Sequence, residues 1–150
     1  MIRIIPMTAA DAPLLERLGH LYVYDLSDTC PTDPGEDGWF AERPGFPDTG
    51  QAFRIDADGK IAGFAIVLPD TGWFLDDFFI LKRWRRHGVG AAAARAIFER
   101  HPGAWALTVR AQNGGALVFW RRILEPYAAV ESAPRIGPDG NARVRFEWNV

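Results

Sequence analysis

The chain has few of the features that cross-link a protein, bind a metal or anchor a protein in a membrane. Cys30 is the single cysteine among 150 residues, which excludes an internal disulfide and a cysteine-based metal cluster. We expect an ordinary reduced thiol there, and no metal cofactor. No run approaches the roughly 18 apolar residues of a membrane-spanning helix, and Met1–Pro6 does not resemble a signal peptide. We therefore expect a cytoplasmic protein with no membrane partner.

Neither sign of charge is in large excess. The formal net charge is −2 and the isoelectric point is near 5.9, so nothing draws the whole chain toward nucleic acid, and we expect no such partner. The basic and aromatic run from Arg83 to Arg86 leaves nucleic-acid binding as an alternative, which requires strongly salt-dependent binding. One acidic group hints at a cationic ligand, although such groups more often form a solvated face: Asp25, Asp28, Asp33, Glu36 and Asp37.

The composition indicates one packed domain. Apolar residues make up 48% of the chain and include six tryptophans, and this length can bury a core without staples. We expect a single domain over residues 1–150. Its elements are predicted in the order strand, helix, long loop, three strands, helix, strand, helix and two strands, which is a mixed α/β fold.

Local signals predict where these elements lie. Thr8 is typical of a helix N-cap, and the apolar spacing after it predicts a helix to about Tyr24. Two further helices are predicted, one from Ala91 to a stop at 101–103 and one over 114–124. Strands are predicted at 2–5, 51–56, 61–68, 73–80, 105–109, 127–131 and 143–148.

The segment 25–50 is unusually rich in proline and glycine. One helical turn is expected within it, at 37–40. Such a long irregular segment is uncommon in a small domain unless it binds something.

The junction from Arg85 to Gly90, between an apolar strand and an alanine-rich helix, carries the strongest chemical signal. Its glycines let the backbone turn tightly, and a helix N-terminus offers unpaired N–H donors with a partial positive charge. Arginines beside these donors make a site suited to a diphosphate. The junction lacks the Gly-Lys-Ser/Thr ending of a nucleoside-triphosphate loop and the full glycine pattern of a dinucleotide fold. It therefore indicates another ligand that carries a pyrophosphate.

Two motifs resemble the GNAT superfamily, the N-acyltransferases that use acetyl-coenzyme A (acetyl-CoA). Arg85-Arg-His-Gly88-Val-Gly90 is similar to the family's Arg-x-x-Gly-x-Gly signature, and Asn113-Gly-Gly-Ala116-Leu-Val-Phe119-Trp120 is similar to its Asn-x-x-Ala-x-x-Phe-Tyr helix. The resemblance implies a mostly antiparallel sheet that splays between its fourth and fifth strands, with flanking helices. It also implies transfer of an acetyl group from acetyl-CoA to the amine of a small molecule or peptide.

The resemblance further implies which residues bind acetyl-CoA. The pantetheine arm would lie along Phe78, Phe79 and Ile80, and the diphosphate on the loop and the first helical residues. Asn113 would contact the arm or cap its own helix, and Phe119 and Trp120 would pack near the acyl end or simply belong to the core. The loop residues implied in binding are Arg85, Arg86, His87, Gly88, Val89, Gly90 and Ala91.

Acyl transfer to an amine needs a base, and here the chain departs from the family. Trp120 replaces the tyrosine that many members use as an acid, and Thr108 stands where some carry a glutamate. Asp76 is the best remaining base, since partial burial would raise its pKa to a useful range. Strand alternation predicts that Asp76 shares a face with Phe74, Phe78 and Ile80, while Asp77 points the opposite way.

The acceptor site is predicted at the end of the first helix, because that region borders the acceptor in the family's fold. Tyr22, Tyr24 and Asp25 would contact the substrate, or form a solvated helix end.

Cys30 has no convincing histidine partner, which favours direct transfer without an acyl-enzyme. Loss of the family tyrosine leaves an alternative, a degenerate module that binds acyl-CoA without turnover. A homodimer is also expected. It would form if the last strand, which contains Phe146 and Trp148, is an edge of the sheet and pairs with the same strand of a second copy.

Overall fold

A computed structural model describes residues 1–150. The protein consists of one twisted sheet with helices on both of its faces. Three helices alternate with the strands: α1 Ala12–Leu26, α2 Val89–Arg100 and α3 Gly114–Leu124. Short 3₁₀ turns occur at Ala9–Asp11, Lys82–Trp84 and Glu125–Tyr127. The strands are β1 Ile2–Pro6, β2 Gln51–Ala57, β3 Lys60–Pro69, β4 Trp73–Ile80, β5 Ala104–Arg110, β6 Val130–Glu131, β7 Arg135–Ile136 and β8 Ala142–Asn149.

The strand order is β1-β2-β3-β4-β5-β8-β6, with β7 also paired to β8. Every pairing is antiparallel except that of β4 with β5, which is parallel and consists of Trp73 with Trp105 and Phe74 with Ala106. Beyond these two pairs the strands diverge, so the sheet is split into two halves by a V-shaped groove. The predicted mixed α/β fold, with a mostly antiparallel sheet splayed between its fourth and fifth strands, is confirmed.

The two faces of the sheet are covered by different helices. Helices α2 and α3 pack on one face, where Ala93, Ile97 and Phe98 join apolar residues from both halves of the sheet. Helix α1 packs on the other face, where Leu15 and Leu18 meet Phe64 and Phe79. The apolar stripes predicted from helical spacing therefore bury against opposite faces. None of the helices has both the length and the apolar character that crossing a membrane requires.

Strand β4 contains one extra residue. Val67 pairs with Leu75 and Ile66 pairs with Asp77, so Asp76 is a β-bulge with no partner on β3. A bulge breaks the alternation of side chains between the two faces. Leu75 and Ile80 are buried with α2 and α3, whereas Phe79 is buried with α1.

The bulge makes one prediction about this strand wrong. Because the alternation restarts after Asp76, Phe74 lies on the opposite face from Phe78 and Ile80, and Asp77 does not point away from Asp76.

Three further predictions about elements are wrong. The segment 37–40 is a turn without a helical residue. Most of 127–131 is not a strand, since the 3₁₀ turn Glu125–Tyr127 precedes it and β6 spans only Val130–Glu131. Strand β8 is not an edge, because β5 pairs on one side of it and β6 and β7 on the other. Phe146 and Trp148 are buried in the core. The homodimer stays a prediction, now without the support of an exposed last strand.

Candidate active site

The loop before α2 presents a row of unpaired backbone donors. The first helical hydrogen bond runs from the Ala92 amide to the Gly88 carbonyl, and none of the six amides from Arg86 to Ala91 donates to a backbone acceptor. Arg86 and Gly88 both have left-handed backbone, with φ of 63° and 76°. Such residues turn successive N–H groups toward one side, which makes a concave anion-binding site at the positive end of the helix.

The left-handed backbone explains the residue preference at these two positions. Gly88 adopts it at little cost, whereas a side chain there costs about 1 kcal/mol or more. Arg86 has a side chain and carries that cost. Strain of this kind persists where the surrounding structure needs a particular backbone shape.

Arg85 is held by the protein itself. Its Nε donates to the Ile80 carbonyl at 2.8 Å, and its Nη2 donates to the Asp25 carboxylate at 2.6 Å. The predicted substrate residue Asp25 is therefore paired with a predicted cofactor residue. His87 is exposed, and its Nδ1 lies 2.7 Å from the Arg85 carbonyl. Arg85 braces the loop against α1, and the backbone amides remain the donors available to a phosphate.

The groove between β4 and β5 is lined by aromatic rings beside this loop. Phe78 stacks on Phe119 with ring centroids 6.0 Å apart, and its centroid lies 5.2 Å from that of Trp120. A Cβ placed on Gly90 would lie 3.0 Å from Cε2 of Phe119, so a side chain there would press on this cluster. Asn113 caps α3, its side chain accepting from the Ala116 amide at 3.2 Å. These positions bring the two sequence motifs to one groove.

The bulge in β4 brings two carboxylates to the α1 side of the groove. Asp76 is exposed, so the predicted partial burial of this residue is wrong, while Asp77 is largely withdrawn from water beside the Tyr22 side chain. Burial, followed by the charge of Asp76, raises the pKa of Asp77 to about 7, although a hydrogen bond from Tyr22 opposes the shift. Burial and the two carboxylates raise the pKa of Tyr22 far above its usual range, so it stays a neutral donor. The carboxyl of Asp77 can therefore gain or lose its proton near neutral pH.

Asp76, Asp77 and Tyr22 line a cavity of about 810 Å³. The cavity lies between α1, the 27–50 loop, the central strands and the turn before β8. Acidic side chains outnumber basic ones on its wall, with Arg110 as the only cation among Glu42, Asp48, Asp76, Asp77 and Asp139. Such a lining favours a cationic ligand.

The predicted acceptor residues are not all at this cavity. Tyr22 lines it, but Tyr24 on the same helix is 64% exposed and is not among the lining residues. Sequence reasoning missed Asp77, Glu42 and Asp48. The adjacent acids in an otherwise apolar strand were a visible signal for Asp77. Nothing in the spacing of residues 27–50 marks Glu42 or Asp48, because an irregular loop has no periodicity that assigns its faces.

Many solved structures resemble the whole fold, and three of them are acetyltransferases from bacteria of different genera. The Escherichia coli ribosomal-protein-S18-alanine N-acetyltransferase superposes with a TM-score of 0.63 at 18% sequence identity. The superposition covers 100% of this chain and 94% of the E. coli chain. A Bacillus subtilis acetyltransferase in complex with CoA gives 0.61 at 12% identity, covering 100% and 99%. The spermidine/spermine N-acetyltransferase of Vibrio cholerae gives 0.62 at 11% identity, covering 99% and 95%.

No curated protein matches the chain in sequence. A family model does match, and it is described as the acetyltransferase (GNAT) family. The match covers residues 20–124, which include the α2 loop, the groove and both carboxylates. This span is more than half of the protein, and it confirms the resemblance carried by the two motifs. The chain belongs to the acetyltransferase (GNAT) family.

Proposed function

We propose that the protein transfers an acetyl group from acetyl-CoA directly to the amine of a small molecule or peptide. The observation that carries the proposal is the position of the Asp76–Asp77 pair, between the β4–β5 groove and an acidic cavity. A base at that point reaches an amine in the cavity and an acyl group in the groove.

The residues of the groove fit the two ends of acetyl-CoA. The six unpaired amides from Arg86 to Ala91 match a diphosphate, which accepts several N–H donors at once. Beyond Phe74 the backbone of β4 has no partner on β5, so the strand can pair with the peptide-like pantetheine arm near Phe78. The relative solved with CoA supports this assignment. Acetyl-CoA supplies the activated acyl group as a thioester.

The carboxylate pair handles the proton. An amine enters as an ammonium ion and loses a proton to Asp76, the exposed member of the pair, with Asp77 sharing the charge. The amine nitrogen then bonds to the acetyl carbon, the carbon–sulfur bond breaks with its electron pair leaving on the sulfur, and the nitrogen gives its extra proton to the thiolate or to solvent. A thiolate with a pKa of about 8.5 can leave without an acid, which is compatible with Trp120 in place of the family tyrosine.

Replacement of Asp76 by Asn tests the proposal. We expect Asp76→Asn to lower kcat/KM at neutral pH by about tenfold or more, as loss of a general base does, without weakening CoA binding. The measurement is release of free thiol from acetyl-CoA with a panel of primary amines, alongside calorimetry with CoA.

Asp33→Asn is the matched control, since Asp33 is an exposed carboxylate of the 27–50 loop that does not line the cavity. Wild-type rates in Asp76→Asn would remove Asp76 from the role. Failure of CoA to bind the wild-type protein would overturn the whole proposal.

A second candidate function is a module that binds acyl-CoA without turnover. Trp120 favours it, because an indole N–H cannot donate a proton to a thiolate at neutral pH. This reading requires CoA binding with no thiol release for any amine, so the same two measurements separate the two functions.

A further inference from the structure

The acidic cavity carries negative charge at two separate places. Asp76 and Asp77 line it from β4, and Glu42 and Asp48 line it from the 27–50 loop. No three acidic or other metal-binding side chains of the protein are grouped so that they could hold one metal ion. Carboxylates that come from two different elements suit an extended ligand with more than one positive centre.

We propose that Glu42 and Asp48 form a subsite for a second cationic group, so that the acceptor is a diamine. One amine is acetylated beside Asp76, and the other remains an ammonium ion beside Glu42 and Asp48. The inference rests on the proposed acetyl transfer, and it adds the substrate class and two residues that determine specificity.

Glu42 is fixed toward the cavity. Thr32 Oγ1 donates to Glu42 Oε1 at 2.7 Å, and both residues line the cavity. This hydrogen bond lowers the pKa of Glu42, so the carboxylate is ionised at neutral pH. A threonine ten residues away thus holds the charge of a loop side chain in place. Asp48, further along the loop, is exposed and has no salt-bridge partner in the protein.

Nearby cations do not neutralise this subsite. Arg43 is the only basic residue between 27 and 50, and it points to α1, where its Nε donates to Glu16 at 3.0 Å. On the opposite wall, Arg110 lies 3.5 Å from the carboxylate of Asp139, which Arg143 also binds at 2.6 Å. The basic residues therefore compensate Glu16 and Asp139, and leave the negative charge of Glu42 and Asp48 for a ligand.

Part of the cavity wall is apolar. Val23, Leu26, Ile66 and Leu68 line the cavity together with prolines of the loop. A methylene chain can bury against these side chains while its two ends keep their charges. A carboxylate on the ligand would meet unpaired acidic side chains, so a diamine fits this lining better than an amino acid does.

A matched pair of amines tests the subsite, with diaminobutane compared with butylamine. In the wild-type protein we expect kcat/KM to favour the diamine by up to about fivefold, since one partly exposed ion pair contributes no more than that. The preference should fall at high salt, because the subsite faces solvent.

Substitutions then assign the preference to the loop. Glu42→Gln combined with Asp48→Asn should raise KM for diaminobutane, leave kcat largely unchanged, and leave butylamine unaffected. Thr32→Val should give part of the effect. Glu36→Gln is the control, because Glu36 is an exposed glutamate of the same loop that does not line the cavity, and it should keep the preference.

Equal use of the two amines by the wild-type protein would overturn the subsite while leaving acetyl transfer intact. So would better use of ornithine, which adds a carboxylate, than of diaminobutane. Binding of diaminobutane is measured separately by calorimetry with CoA present. Binding that depends on Glu42 without any acetyl transfer would support the subsite and contradict the proposed function, whereas no binding at all would overturn the subsite.

Discussion

At the residue scale, the proposed chemistry depends on two neighbouring aspartates that a regular strand would separate. The extra residue in β4 brings Asp76 and Asp77 to one cavity, and burial raises the pKa of Asp77 to about 7. Tyr22 limits that rise by donating a hydrogen bond to Asp77. The first helix therefore adjusts the acidity of a strand that it covers.

Tyr22→Phe should shift the pH dependence of acetyl transfer upward. Without the hydroxyl the carboxyl loses a bond that favours its ionised form, so the pKa of Asp77 rises further. Activity needs the ionised pair and falls as pH drops, and the acidic limb of kcat/KM should move up by about 0.5–1 pH unit. The loss of rate should be large at pH 6.5 and small at pH 8.5.

Tyr24→Phe is the control for this profile, since Tyr24 lies two residues along the same helix and is exposed. Its acidic limb should stay where the wild-type limb lies. An unshifted limb in Tyr22→Phe would show that another group sets the pH dependence.

The parts of this site differ in how far sequence could predict them. The α2 loop and the helix that begins after Asn113 could be predicted, because glycine, arginine and capping signals act over a few residues. The pairing of Asp76 with Asp77 was not, since strand alternation predicts the opposite and nothing local marks a bulge. Glu42 and Asp48 were also missed, because their positions depend on contacts such as Thr32 with Glu42 and Arg43 with Glu16.

At the element scale, the start of α2 owes its donors to backbone shape rather than to side chains. Arg85 is engaged with Asp25 and Ile80, and the left-handed residues Arg86 and Gly88 turn the free amides to one side. Binding of a diphosphate at this helix should therefore be more sensitive to the backbone at Gly88 than to the charge of any one arginine.

Gly88→Ala tests the importance of this backbone shape. A Cβ at Gly88 would have nothing within 4 Å, so the substitution introduces no clash and only the cost of left-handed backbone. That cost is about 1 kcal/mol or more, and the affinity for CoA should fall about fivefold or more, as calorimetry would measure. Gly88→Asn should recover much of the affinity, because Asn tolerates this region. Equal losses for Ala and Asn would contradict the backbone explanation.

At the scale of the whole molecule, two half-sheets are held together across a narrow joint. Only the pairs Trp73–Trp105 and Phe74–Ala106 connect them through the backbone. The rest of the connection is the core under α2 and α3, where Phe98 has its ring centroid 5.0 Å from those of Trp105 and Trp148. The angle of the groove is therefore set by packing at this joint.

Gly72→Ala should disturb the joint. A Cβ on Gly72 would lie 2.2 Å from the carbonyl oxygen of Ala104, so one of the two backbones has to move. We expect a cost of about 2 kcal/mol or more and a Tm lower by about 4–8 °C, together with weaker CoA binding. Thermal unfolding with and without CoA measures both effects.

Gly115→Ala is the matched control, because a Cβ there has open space and a helix favours alanine over glycine. It should be neutral or slightly stabilising. A Gly72→Ala protein that unfolds at the wild-type temperature would show that the joint is more compliant than its geometry implies.

The bulge at Asp76 has a consequence for anyone who redesigns this protein. Deleting that single residue would give β3 and β4 an uninterrupted ladder, and a protocol that rewards ideal geometry would choose the deletion. The repaired strand would have one acid where the natural one has two, and Asp77 would lose the charged neighbour that helps to raise its pKa. In this protein an irregular piece of sheet is the part that an engineer should leave alone.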